Sequence, residues 1–314
     1  MGFLTSLINV GLLFALGVPG YILGKLKMLP GGFSDGLATI LLYVAFPFVT
    51  ISTFIRTDFD SELLVNMGLM VFLGIALLIG SYYISLLCFK PLQKSPAQKA
   101  GIASGYMSNS AFMGIPIIQT FFPDKPAAVV YATMFGIAYN VIAWTLMVYT
   151  LTGDKKYISL KAALLNPGTF SVIIALPILF FDINFPDPAL RVFDWLGNLT
   201  SPLAMFIVGI RLADIRLHTI FTSIVVYWSS VVKLVIVPLF SFLIIFLTNL
   251  FLPMSGVLAI VMYILMMMPS ASFVIVFSEK FGGDRDTSVK CVLFSTLISI
   301  ITIPVMLLFS GALF

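Results

Sequence analysis

Long apolar stretches separated by short polar connections follow one another along the whole chain. A stretch of about 20 apolar residues spans the hydrocarbon core of a bilayer as an α-helix. The pattern predicts spans at residues 5–24, 35–55, 63–89, 98–122, 126–151, 167–181, 190–210, 220–248, 254–280 and 287–311, with edges good to a few residues. The composition agrees, because 10% of the residues are charged, against about 25% in a soluble domain. The sequence therefore predicts an all-α integral membrane protein with ten transmembrane helices.

The fourth span has a polar centre, which a simple transmembrane helix would avoid. Ser108, Asn109 and Ser110 are adjacent, and Gly114 and Pro116 follow them. Proline has no backbone N–H to donate, and its ring disfavours a helical conformation at the residue before it. Polar groups at mid-membrane depth are costly unless they line a cavity or meet a ligand. We interpret this stretch as a broken transmembrane helix whose break is a binding site.

Basic residues are distributed unevenly between the connections. Connections after even-numbered spans hold only Arg56, Lys125 and Arg191. Connections after odd-numbered spans hold Lys25, Lys27, Lys90, Lys94, Lys99, Lys155, Lys156, Lys161, Arg211, Arg216, Lys280, Arg285 and Lys290. Because cytoplasmic connections carry the excess of Lys and Arg, the odd-numbered connections are predicted to be cytoplasmic and both termini to lie outside a cell membrane. This topology explains the net charge of +4, and no nucleic-acid signature is visible.

The two halves of the chain resemble each other. A proline followed nine residues later by an arginine occurs twice with a shift of 155, as Pro47 with Arg56 and as Pro202 with Arg211. Ser110-Ala111-Phe112 is matched by Ala271-Ser272-Phe273 with a shift of 161. The halves therefore match as repeat one, residues 1–151 with helices 1–5, and repeat two, residues 152–314 with helices 6–10. Since five spans is an odd number, the second copy is inverted, an arrangement typical of secondary transporters.

The ninth span is the counterpart of the fourth. Pro269 breaks it, Ser270 and Ser272 supply hydroxyls, and Ser270 corresponds to Asn109 at the shift of 161. Two broken helices at corresponding positions indicate a binding site at the membrane midplane. The predicted helix-break residues are Gly114, Pro116 and Pro269. The predicted substrate-binding residues are Asn109, Ser108, Ser110, Ser270, Ser272, Asn140 and Lys233.

Each of these polar residues also has a structural interpretation. Asn109 and Asn140 could make interhelical hydrogen bonds that hold packing, and each serine could satisfy a carbonyl freed by proline. Lys233 is the one charge deep inside an apolar span. It could attract an anionic substrate, pair with a carbonyl at a helix break, or extend its side chain to the cytoplasmic boundary.

Several absent features narrow the function. No Asp or Glu lies at mid-span, so a proton relay through a buried carboxylate is poorly supported. Walker loops, HExxH, GxSxG and clustered metal ligands are also absent from the sequence, which argues against an ATPase or a membrane enzyme. No cofactor is expected, although hydroxyls and unwound carbonyls would suffice to bind sodium. A channel is the other alternative, but a pore usually shows rings of like residues.

Four stretches carry a resemblance to a known family. They are SNSAFMGIPII at 108–118, KLVIVP at 233–238, MMPSASFVIVFSEKFGGD at 267–284 and STLISIITIP at 295–304. The chain resembles the auxin efflux carrier family over essentially its whole length, and the short connection between spans 5 and 6 favours the bacterial branch. The resemblance implies that helices 4 and 9 cross beneath the substrate. It implies a scaffold of helices 1, 2, 6 and 7, a mobile transport unit of helices 3–5 and 8–10, and a homodimer.

These observations lead to one functional prediction. We expect a secondary transporter of small organic carboxylates. The resemblance implies auxin-like or malate- and malonate-like anions as substrates, and elevator-type alternating access as the mechanism. A monoanion that leaves a cell at −100 mV gains about 2.3 kcal/mol, so export or exchange needs no coupling ion. Sodium-coupled import of an organic anion is the alternative.

Overall fold

The computed structural model describes residues 3–183, 185–213, 223–252 and 254–313. Within these ranges every regular element is helical, and the only extended pairing is one isolated bridge. Eight helical stretches are long and apolar enough to cross a membrane. They are Leu4–Lys25, Phe33–Ile55, Ser61–Phe89, Pro126–Thr152, Lys155–Phe180, Asp187–Ala213, Ile224–Phe251 and Arg285–Gly311. The expected integral membrane protein of α class is confirmed; Arg216 and the predicted start of the eighth span lie outside the described residues.

Most stretches consist of shorter helices joined by turns of different pitch. The α-helices are Phe3–Ala15, Val18–Lys25, Phe33–Ile40, Phe46–Ile55, Ser61–Phe89, Pro96–Tyr106, Ile115–Phe121, Pro126–Ile142, Val148–Thr152, Leu160–Leu164, Pro167–Phe180, Asp187–Gly197, Thr200–Ala213, Ile224–Val231, Val237–Phe251, Gly256–Met267, Phe273–Lys280 and Arg285–Leu307. The π-helical turns are Leu41–Ala45, Ser110–Gly114, Ala143–Met147 and Val232–Ile236, and the 3₁₀ turns are Lys155–Tyr157 and Leu308–Leu313.

Two further segments are interrupted in the middle. The first broken segment, residues 96–121, stops being helical after Tyr106 and resumes at Ser110. The second broken segment, residues 256–280, stops after Met267 and resumes at Phe273. They lie where the sequence predicts the fourth and ninth spans. Nearly all residues from 100 to 118 and from 258 to 272 are buried, so the irregular backbone is enclosed by protein, where membrane proteins tolerate it.

Proline does not break the first segment where the sequence suggested. The interruption at residues 107–109 precedes Gly114, which ends a π turn, and Pro116, which lies in the first turn of the next helix. Pro47 and Pro238 likewise lie two residues after a π turn. A proline in the first turn of a helix removes an N–H that would have no partner there anyway, so the helix continues. Pro269 does lie within the second interruption.

The helices form two groups by their packing. In the first, Val18–Lys25 packs along Thr200–Ala213, and Phe46–Ile55 packs along Pro167–Phe180. In the second, Ser61–Phe89 packs along Pro126–Ile142. We call residues 18–25, 33–55, 166–180 and 187–213 the first helix group. We call residues 61–89, 96–142, 224–251, 256–280 and 285–307, which include both broken segments, the second helix group.

Glycine allows one contact in the first helix group to be unusually close. A Cβ atom on Gly20 would lie 2.4 Å from the Phe206 carbonyl oxygen, and one on Gly209 would lie 1.9 Å from the Gly17 carbonyl oxygen. Real side chains do not approach backbone this closely, so only glycine fits. Small residues at such a contact are the usual way in which membrane helices pack tightly.

Candidate functional site

The two broken segments meet at their interruptions through backbone hydrogen bonds. Ser108 and Ser270 form an isolated antiparallel bridge. The Asn109 N–H donates to the Pro269 carbonyl at 2.8 Å, and the Ala271 N–H donates to the Met107 carbonyl at 3.0 Å. Exchanging residues 107–109 with 269–271 converts one bond into the other. The crossing therefore has local two-fold symmetry with a shift of 162, which pairs Asn109 with Ala271, one residue away from the pairing with Ser270 that the sequence suggested.

Lys233 is directed into this crossing. Its side chain is fully buried, and its Nζ donates to the Ser108 hydroxyl at 2.6 Å and to the Met266 carbonyl at 3.0 Å. Met266 lies in the last turn of a helix, where carbonyls lack helical partners and carry partial negative charge. Of the three sequence interpretations, extension to the membrane boundary is wrong, because both acceptors are buried. The geometry matches pairing with a carbonyl at a helix break.

The four candidate serines differ in their surroundings. Ser108 and Ser270 are fully buried. The Ser108 hydroxyl accepts from Lys233, and the Ser270 hydroxyl donates to the Ser104 carbonyl at 2.7 Å. Ser110 and Ser272 are slightly exposed and line cavities. Two hydroxyls are therefore committed to holding the crossing, and two remain available to a ligand.

Asn109 combines a fixed backbone with an unpaired side chain. Its carbonyl accepts from the N–H groups of Met113 and Gly114, both at 3.1 Å. Its side chain is nearly buried, with 4% of the residue exposed, and makes no hydrogen bond to any residue in the described ranges. A carboxamide carries two N–H donors and an acceptor oxygen, and in the described structure these atoms are not among the fully enclosed polar atoms that lack a partner. The side chain is therefore poised for a ligand.

A cavity of about 660 Å³ opens beside the crossing, a size typical of small-molecule sites. It lies at the end of the molecule that holds Lys280 and Arg285, which we call the basic end. Ser272 lines its wall. A deeper pocket of about 30 Å³ shares Asn166 and Phe273 with it and reaches Ser110. Asn109 itself lines neither space, but its neighbour Ser110 does. In the described part of the chain no cluster of His, Cys, Asp or Glu could hold a metal ion.

Asn140 also lines the deeper pocket, but its amide already has partners. Its Nδ2 donates to the Thr169 hydroxyl at 2.9 Å and to the Asn166 Oδ1 at 3.4 Å. These bonds connect the second helix group to the first. Substrate contact by Asn140 stays a prediction, and the observed bonds match the packing interpretation.

The cavity contains a charged pair that the sequence did not single out. Arg211 lies in the last turn of Thr200–Ala213, and its Nη2 donates to the Asp35 Oδ1 at 3.2 Å. At the opposite end Arg56 pairs with Asp194. The two arginines are related in the sequence by the shift of 155 between the predicted repeats, so the sequence does indicate that they are equivalent. Neither aspartate could be assigned to its arginine from the sequence, since each partner is more than 130 residues away.

Comparison with known proteins identifies a family that covers nearly the whole chain. The family model described as "Membrane transport protein" matches residues 3–307. A protein of Rhizobium meliloti (strain 1021) named "Putative malonate transporter" is 26% identical over 315 aligned residues, covering 96% of this chain and 95% of that protein. The matched region includes both broken segments and the cavity walls. The chain therefore belongs to the membrane transport protein family, the auxin efflux carrier family that its sequence resembles, and it is a transporter and not an enzyme.

Proposed function

We propose that the protein is a secondary transporter of small organic carboxylates, bound at the crossing of the two broken segments. The observation that carries the proposal is the nearly buried amide of Asn109, which makes no hydrogen bond to a described residue, at a backbone crossing next to a cavity. Its N–H groups can donate to a carboxylate oxygen. Ser110 and Ser272, which line the two spaces, would add hydroxyl donors. The name of the Rhizobium relative favours a malonate-like substrate.

The proposed architecture has ten transmembrane helices in two inverted repeats, residues 1–151 and 152–314. Eight long apolar stretches and two broken segments support the count. The two-fold pattern of hydrogen bonds at the crossing supports the inversion, as do the two arginine–aspartate pairs at opposite ends. By the positive-inside rule the basic end is cytoplasmic and both termini are outside. Location in the plasma membrane and assembly as a homodimer stay predictions.

We propose elevator-type alternating access between the two helix groups. The first helix group corresponds to the scaffold, and the second to the transport unit, that the resemblance implies. The cavity of about 660 Å³, which we call the main cavity, supports this mechanism, because both helix groups line it. Asp35, Asn166 and Arg211 belong to the first helix group, and Phe112 and Ser272 belong to the second. A cavity of about 310 Å³ lies at the opposite end. A neighbouring cavity of about 370 Å³ shares Arg56 with it. We propose that the cavity of about 660 Å³ at the basic end makes this a cytoplasm-facing state.

Lys233 bears on the coupling ion. Its amine nitrogen donates to a hydroxyl and a carbonyl at the crossing, two kinds of oxygen that can bind sodium. Because Lys233 already occupies these two oxygens, the arrangement favours transport without sodium. Export or exchange of the anion, driven by the membrane potential and its gradient, is then the proposed direction. Sodium-coupled import is the alternative that a sodium titration tests.

The experiment is ligand-dependent thermal stabilisation of the purified protein by malonate, malate and indole-3-acetate, each with and without sodium. A ligand at 100 times its dissociation constant stabilises the folded state by about 2.7 kcal/mol. Asn109→Ala should abolish this stabilisation without lowering the melting temperature of the free protein, because its side chain makes no hydrogen bond within the described part of the chain.

Asn66→Ala is the matched control. Asn66 is similarly buried, but its Nδ2 donates to the Tyr131 hydroxyl at 3.3 Å. Neither residue lines the cavity of about 660 Å³ or the deeper pocket. This variant should be less stable and bind the ligand normally. Wild-type affinity in Asn109→Ala would disprove the site. A stabilising effect only in sodium would replace export with sodium-coupled import.

A further inference from the structure

Arg211 is an unusually placed cation in the wall of the main cavity. Only 16% of its side chain is exposed, whereas 76% of its partner Asp35 is exposed. The guanidinium carbon lies 6.0 Å from the centre of the Phe112 ring, three residues along the chain from Asn109. The guanidinium is therefore fixed between an aromatic face and the cavity, at the boundary between the two helix groups.

The pairing with Asp35 leaves most of this guanidinium free. Arginine has five N–H donors in a planar fork, and the described structure gives Arg211 one hydrogen bond, at 3.2 Å. An ion pair with an exposed partner is weak, because water screens it. A carboxylate that forms two parallel hydrogen bonds to the fork is a stronger partner. An incoming carboxylate can therefore displace Asp35.

The other charges of the cavity favour an anion. Glu279 pairs with Arg285 at 3.2 Å. Lys280 lies 5.0 Å from the Trp144 ring and forms no ion pair with a described residue. With Asp35 and Arg211 neutralising each other, the charged residues lining the cavity carry one excess positive charge. A cavity with such an excess raises the local concentration of anions.

We propose that Arg211 is a second carboxylate-binding subsite, at which the transported anion docks between the cytoplasm and the crossing. This inference rests on the proposed function and adds to it a second binding residue, Arg211, at which the anion binds before it reaches the crossing. Asp35 is the competing carboxylate: it occupies Arg211 when the cavity is empty and is exchanged for the substrate. The subsite belongs to the first helix group, so it stays in place when the transport unit moves.

The opposite end carries the equivalent pair. Arg56 and Arg211 differ by 155 in number and Asp194 and Asp35 by 159, close to the offset of the proposed repeat. There Asp194 accepts from Arg56 and also from the Ser52 hydroxyl at 2.6 Å, so that pair is held twice. The looser pair lies in the larger cavity, and the doubly held pair lies in the smaller one. Arg56 is therefore the matching docking residue for an outward-facing state.

The test measures the dissociation constant for malonate in detergent. The proposal predicts that two variants change this constant in opposite directions. Arg211→Gln should raise the dissociation constant about ten- to hundredfold, the effect of losing charge-assisted hydrogen bonds. Asp35→Asn should lower it several-fold, because the competitor for the guanidinium is gone. If the pair only holds the first helix group together, both variants lower the melting temperature and neither changes the affinity, and the proposal is wrong.

Three further measurements complete the test. Lys161→Gln removes an exposed charge at the basic end, outside the cavity, and should leave the malonate affinity unchanged. An effect equal to that of Arg211→Gln would mean that the net charge of the protein, and not a subsite at Arg211, sets the affinity. If Arg211→Gln does not fold, Arg211→Lys takes its place in the test. This variant keeps the charge without the fork, so it should bind malonate more weakly than the wild type but more tightly than a variant without the charge. Chloride and phosphate should compete at least tenfold more weakly than malonate; equal competition would make the residue an unspecific anion site.

The outcomes separate this inference from the proposed function. A wild-type protein that binds no carboxylate would overturn both. Malonate binding that is lost in Asn109→Ala but unchanged in Arg211→Gln and Asp35→Asn would overturn the docking subsite alone.

Discussion

Replacing Lys233 by methionine tests whether the lysine holds the crossing together. Methionine has a similar length and no donor, so Lys233→Met removes two hydrogen bonds and leaves the volume nearly unchanged. The variant leaves the Met266 carbonyl and the Ser108 hydroxyl without their 3.0 Å and 2.6 Å contacts to Nζ. It also removes the cost of burying an ammonium group. The stability change is the difference between these effects.

The magnitude follows from the partners that remain. A buried acceptor left without a donor costs about 1–3 kcal/mol. The Ser108 hydroxyl lies 3.5 Å from the Met266 carbonyl, so it can turn to satisfy that carbonyl and limit the loss to one unpaired group. Relief of the burial cost offsets part of this loss, so we expect a net destabilisation of about 1 kcal/mol, at the lower end of that range, or about 2–4 °C in apparent melting temperature. Transport should fall further than stability, because the crossing carries the site.

The assay is thermal unfolding of the purified protein in detergent, together with malonate uptake into proteoliposomes. Lys90→Met is the control, since Lys90 is exposed at the end of Ser61–Phe89. A Lys233→Met protein that melts within 1 °C of this control and transports at the wild-type rate would refute the reasoning. Such a result would mean that the carbonyl and hydroxyl find other partners without loss.

Two other pairs of substitutions separate packing from binding. Gly209→Ala would bring a Cβ atom to 1.9 Å from the Gly17 carbonyl oxygen, so we expect loss of monodisperse protein on size-exclusion chromatography. Gly136→Ala is the control: a Cβ atom there would have no atom within 4 Å, so this variant should be as stable as the wild type. Ser270→Ala loses a buried hydrogen bond, so it should lower stability by about 1 kcal/mol and retain malonate affinity. Ser272→Ala should weaken malonate binding severalfold without affecting the melting temperature. The reverse pattern would contradict the assignment of Ser270 to the crossing and of Ser272 to the ligand.

The sequence was informative about the broken segments because the membrane makes irregular backbone expensive. Polar residues and proline inside apolar stretches must have a structural or binding role there, so Asn109 and Pro269 could be found without a structure. The position of the first interruption was less predictable. Pro116 looked like the cause, but a preceding π turn accommodates it. Whether a helix widens or breaks depends on neighbouring segments, which local sequence does not describe.

By itself, the sequence determined that the chain is a helical membrane protein, where its apolar stretches lie, and which two of them are exceptional. These properties follow from hydrophobicity and proline chemistry, which act over short distances along the chain. Only the tertiary structure decided the partners: Lys233 with Met266, Arg211 with Asp35, and the division of the serines between the crossing and the cavities. Such contacts join residues far apart in the chain, so their geometry depends on how all the helices pack together.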